Sequence, residues 1–110
     1  MLRASSHKTG RPVYLRALVD EMADPLLEWG RELLAFTDAA VLRDTDEMLI
    51  ARESLLAVGG QAAVVRVAAV AGNFEMMNRL LDAIGVPVGG GGVDIAEELG
   101  VEVPEHLRPA

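Results

Sequence analysis

The sequence predicts an all-α protein, a compact orthogonal or antiparallel bundle of four main helices whose surplus apolar surface drives it to oligomerise. Three observations carry that expectation. Apolar residues recur at i, i+3, i+4 and i+7 in the first part of the chain, and no stretch alternates with period two as a strand would. Between Ala62 and Gly72 only Arg66 is polar, so the segment from Gln61 to Gly85 has no wet face over its first half and reads as a helix buried all round. At 1.5 Å per residue it would be about 36 Å long, the width of a small domain.

Composition sets the limits. The chain has 110 residues, enough for one domain with a core, and 51% of them are hydrophobic. A monomer of this size has little room to hide so much apolar surface, so a subunit interface is the expected destination for the excess. One Trp, one Tyr and two Phe make the core aliphatic and alanine-rich. The absence of cysteine removes disulfides, thiolate metal sites and thiol nucleophiles. A net charge of −7 argues against nucleic acid, whose phosphates need clustered cations. The longest apolar run, about ten residues, falls short of the roughly twenty that span a bilayer, so no membrane segment is expected and the cytoplasm is the expected location. Nine arginines against one lysine fit the bias of a GC-rich bacterial genome.

Residues 1–11 read as a disordered basic arm, with an organelle transit peptide as the alternative. Arg3, Lys8, Arg11 and Arg16 place four positive charges and no negative ones in the first sixteen residues, which leaves −11 on the remainder against a total of −7. Residues 12–86 form the helical domain. A first short helix from Pro12 to about Ala23 has Leu15, Leu18, Val19 and Met22 in one stripe. Asp24 before Pro25 is an N-cap signal for a second helix, Pro25 to Phe36, which buries Leu26, Leu27, Trp29, Leu33 and Leu34. Residues 37–45 read as a bent polar connection. Thr45 caps a third helix with Asp46 and Glu47 in its first turn, and Met48, Leu49, Leu55 and Leu56 face inward. Gly59 and Gly60 stop it, and so short a joint favours an antiparallel hairpin with the long helix that follows. Gly85 closes that helix and Pro87 prevents its resumption. Residues 87–110 read as a glycine-rich loop and a C-terminal strap: Gly89 to Gly92 suits no regular element, Asp94 caps one turn through Leu99, Gly100 ends it, and the remainder is extended and lies across a neighbour.

The polar cluster with the most information is Glu75, Asn78, Arg79 and Asp82, four side chains within an arc of about 100°. It reads in one of two ways. Either it is a polar site at the mouth of an apolar bundle, a ligand or interface site with Arg79 for an anion and a carboxylate to move a proton, or Glu75 and Arg79 are an ordinary i, i+4 ion pair with Asn78 and Asp82 solvated beside them. Arg66 and Asn73 lie almost opposite, and a buried guanidinium needs a partner, for which Glu53 and Asp44 of the preceding segment are candidates; the pair reads as a buried or interfacial ion-pair position. Gly72 in the same helix marks a close helix crossing. His7 and His106 have no metal-ligand spacing, the glycine run has neither the Lys-Ser/Thr nor the strand of a phosphate loop, and Ser54 lacks a base, so no metal and no cofactor are expected.

The segment Phe74 to Val86, FEMMNRLLDAIGV, with the alanine- and valine-rich run before it, resembles the closing helix of the alkylhydroperoxidase and carboxymuconolactone decarboxylase-like superfamily, in its peroxidase-related branch. The matching positions are Phe74, Asn78, Arg79, Asp82, Ala83 and Gly85. The family's Cys-x-x-Cys pair is absent here, and Glu75 stands where many members have asparagine, so no catalytic residue carries over. The resemblance implies an all-helical, homo-oligomeric fold. Three functions follow as expectations: a non-thiol oligomerising protein that binds a small apolar ligand or a partner subunit, a cysteine-free decarboxylase-like enzyme with a polar site at a subunit boundary, or a peroxidase-related partner of a cysteine-bearing chain.

Overall fold

The computed structural model describes residues 7–110. Its elements are a 3₁₀ turn at Leu15–Leu18, helix α1 at Gly30–Leu42, helix α2 at Thr45–Ala83, helix α3 at Gly90–Leu99 and a second 3₁₀ turn at Glu105–Leu107, with no strand among the described residues. The all-α expectation is met. Of the basic arm expected at 1–11, residues 1–6 lie outside the described residues, while residues 7–9 are helical and exposed. The chain divides into two compact units, the first ending at Gly72 and the second running Asn73–Ala110, a boundary that falls inside α2.

In the first unit, the expected helix from Pro12 to Ala23 shrinks to the 3₁₀ turn. The Asp20 carboxylate accepts the Met22 N–H at 3.0 Å, an Asx turn that competes with helical bonding. Leu15 and Ala17 are buried there, whereas Leu18, Val19 and Met22 are exposed. The helix expected at Pro25 to Phe36 starts five residues late for the same kind of reason. Asp24 does not cap it; its Oδ1 accepts the Leu26 N–H at 2.9 Å, and both Leu26 and Trp29 take left-handed backbone, at φ 60° and 56°. A right-handed helix cannot contain either. The turn is tight enough that a β-carbon on Gly30 would collide with the Pro25 ring, so only glycine opens α1 here.

Once begun, α1 runs through the region expected as a polar connection. The Thr37 hydroxyl donates to the Leu33 carbonyl at 2.8 Å and so spends its polarity within the helix. Phe36 and Ala39, one turn apart, face inward. The helix stops at Arg43 in left-handed conformation, with Asp44 N–H on the Ala39 carbonyl at 3.1 Å. Asp44 then caps α2: its carboxylate accepts the Glu47 N–H at 3.0 Å, one residue earlier than the expected cap at Thr45.

α2 is broken at Gly60, where φ 76° and ψ 177° lie in a region open essentially to glycine alone. The break divides α2 into two arms, residues 45–59 and 61–83, and residues on both sides of it share one core in the first unit. Phe36 and Ala39 of α1 and Ala51 and Leu55 before the break are buried together, and Val64 and Val67 after the break pack on the same cluster. In an unbroken helix Leu55 and Val67 would stand about 18 Å apart, so the chain turns at Gly60. Of the expected inward residues Leu55 is fully buried and Met48 half-buried, while Leu49 and Leu56 are exposed. Gly72, expected at a close crossing, faces open space.

In the second unit no residue is buried. α2 ends as expected at Gly85, φ 75°, through paired bonds from Gly85 N–H to the Asp82 carbonyl and from Val86 N–H to the Leu81 carbonyl. The glycine run, expected to form no regular element, supplies the first turn of α3. Glycine is costly in a helix, but a β-carbon on Gly92 would come within 2.7 Å of the Val88 side chain, so the close approach of the loop depends on it. α3 is therefore ten residues long instead of one turn, and Gly100 closes it at φ 69°. The C-terminal strap folds onto its own unit: Val88 N–H donates to the Leu107 carbonyl at 2.8 Å, and Arg108 donates to the Val103 carbonyl and the Glu102 carboxylate, each at 3.0 Å.

Candidate functional site

The last turns of α2 present Glu75, Asn78, Arg79 and Asp82 in sequence order along one face. Arg79 Nε stands 3.5 Å from Glu75 Oε2, the i, i+4 pair that the spacing offers. The Arg79 side chain is 72% exposed and that of Glu75 34%, so the pair is loose and solvated, worth at most a few tenths of a kcal/mol. Asp82 finds its partner outside its own helix. His106 Nε2, 24 residues away, lies 3.1 Å from Asp82 Oδ1. An ionised carboxylate can only accept, so the imidazole donates from Nε2 in this contact.

These contacts border a groove of about 540 Å³. Asn78, Arg79 and Asp82 line it from α2, and Leu81, Val86, Val88 and Leu107 make its apolar walls. Three of the four expected site residues therefore converge on one groove, while Glu75 stays outside and holds Arg79 from the preceding turn. His106 was not legible as a member of the cluster, because only the fold of the C-terminal segment joins it to Asp82. The two helix-closing glycines, Gly85 and Gly100, were the one local hint that the chain reverses there.

Arg66 and Asn73 were expected at a buried or interfacial ion-pair position. Both are exposed in the chain, and Arg66 forms no ion pair among the described residues. Asp44, one of its two expected partners, caps α2 instead. No group of three His, Cys, Asp or Glu side chains among the described residues is placed to hold a metal ion.

A second surface is apolar. Val65 and Val70 are 62% and 52% exposed, on an arm whose only charge before Glu75 is Arg66. By length and composition α2 is apolar enough to cross a bilayer. However, the stretch between Glu53 and Glu75 reaches the necessary twenty or so residues only by running through Gly60, where the helix is broken. Compared with protein-family models, with curated proteins and with solved structures, the chain has no match in any of the three.

Proposed function

We propose that this chain is a subunit of a homo-oligomer and acts by binding, with the exposed apolar surface of the second arm of α2, Val65 and Val70 included, covered by neighbouring copies. One observation carries the reading: Val65 and Val70 stand more than half exposed in the most apolar part of the chain. Covering what they expose is worth roughly 2 kcal/mol per copy at about 25 cal/mol per Å², and the same contact would take in neighbouring alanines. Arg66, between them, finds its partner on the same reading, from an acid of the second copy. Membrane burial is the weaker use of this face, since neither arm of α2 alone offers an uncharged span of sufficient length. The likeness of Phe74, Asn78, Arg79, Asp82, Ala83 and Gly85 to the alkylhydroperoxidase-like superfamily supports an assembling helical protein and supplies no catalytic group.

Light scattering on the purified protein tests the reading. A mass at a multiple of 11.7 kDa is expected at micromolar concentration, and a single 11.7 kDa species would contradict it.

A second reading, a cysteine-free decarboxylase-like enzyme, is favoured by the Asp82–His106 contact, because a carboxylate and an imidazole 3.1 Å apart are suited to moving a proton at the groove's edge. It predicts that His106→Gln abolishes turnover while leaving the assembly intact. The third, a partner of a cysteine-bearing chain, has no feature of the groove in its favour.

A further inference from the structure

The groove at the end of α2 supports a narrower statement about its occupant, one that rests on reading the chain as a binding protein. Its walls come from three separated stretches, with Leu81 on α2, Val86 and Val88 on the loop, and Leu107 on the C-terminal turn. Leu107 is held there by its carbonyl, which accepts the Val88 N–H at 2.8 Å, and by the neighbouring His106 at Asp82. The C-terminal segment is thus a wall of the groove.

The charges at the rim decide what the groove can take. Arg79 is paired with Glu75, which lies just outside the groove, and Asp82 with His106. With His106 protonated the four cancel, and with His106 neutral the rim carries one net negative charge. In neither state is there a surplus cation to attract an anion. Asn78 is the uncharged polar side chain in the lining, and it makes no hydrogen bond among the described residues. We propose that the groove binds a small uncharged molecule, apolar over most of its surface, with a single hydrogen-bonding group that meets the Asn78 amide. Its volume of about 540 Å³ lies within the range of roughly 300–1,000 Å³ usual for small-molecule sites.

Two fluorescent probes with the same ring system test this: N-phenyl-naphthylamine, which is uncharged, and anilinonaphthalene sulfonate, which adds one negative charge. The uncharged probe should bind the full chain at least tenfold more tightly. Val86→Asp and Leu107→Asp should each weaken it at least tenfold, and Asn78→Ala severalfold; Val86 and Asn78 are exposed, so the fold does not depend on them. Equal or tighter binding of the sulfonate would overturn the inference, as would binding of neither probe. Indifference to all three substitutions would place the probe on another surface and overturn it too. The mass of each variant, measured by light scattering, reports separately on assembly, so the failure of one reading is distinguishable from that of the other.

Discussion

The Trp29 indole lies against the backbone of Gly59, close enough that a β-carbon at Gly59 would sit 3.1 Å from ring carbon Cζ3. That contact joins the turn before α1 to the end of the first arm of α2, and it accounts for the left-handed backbone at Trp29, which aims the ring there at a cost of about 1–2 kcal/mol.

Gly59→Ala should therefore destabilise the protein. In an open helix the change would gain about 1 kcal/mol, but here the new methyl would also come within 2.7 Å of the Ala63 β-carbon, which cannot rotate away. A net loss of about 1–2 kcal/mol is expected from the shift in urea midpoint, and a raised midpoint would show that the ring does not rest on this backbone.

Gly60 and Gly72 should respond in opposite directions. Alanine at Gly60 is forced to φ 76° and ψ 177° and should cost about 1–3 kcal/mol. Alanine at Gly72, where nothing lies within 4 Å, should stabilise the isolated chain by up to about 1 kcal/mol. If Gly72→Ala also lowers the mass of the assembly, the close crossing expected from sequence lies between copies.

The start of α2 distinguishes two neighbouring residues. Asp44→Ala removes the acceptor of the Glu47 N–H and should cost about 1 kcal/mol, whereas Thr45→Ala should leave the urea midpoint nearly unchanged. The reverse order would restore the cap that the sequence suggested.

Leu26 offers a stabilising change. It is 51% exposed and left-handed at φ 60°, so asparagine, which tolerates that conformation, should relieve strain and raise stability by up to about 1 kcal/mol. A fall in the melting temperature of Leu26→Asn would mean that its side chain holds the turn.

What could be read from the sequence was governed by range. Gly85 and Gly100 close their helices as expected, because a left-handed stop depends on one residue and its immediate neighbours. Leu55 was found by helical spacing. Ala39 and Ala51, which complete the same core, were missed, since their small side chains give little signal although they let α1 and α2 approach. Asp24 misled the reading of the second helix because an aspartate before a turn and one before a helix look alike until the backbone shows where its oxygen points. In the groove, Asn78, Arg79 and Asp82 followed from helix periodicity, but Leu107 and His106 depend on how a segment two dozen residues away folds back.

The central claim is that the exposed apolar surface around Val65 and Val70 on α2 is a contact between copies of this chain. Sedimentation velocity of the wild type beside Val65→Glu/Val70→Glu tests it most directly, since both positions are exposed and the substitutions should not unfold a single chain. The wild type is predicted to sediment as a multiple of 11.7 kDa and the double variant as an 11.7 kDa species with unchanged helix content. Identical sedimentation of the two, at either mass, would contradict it.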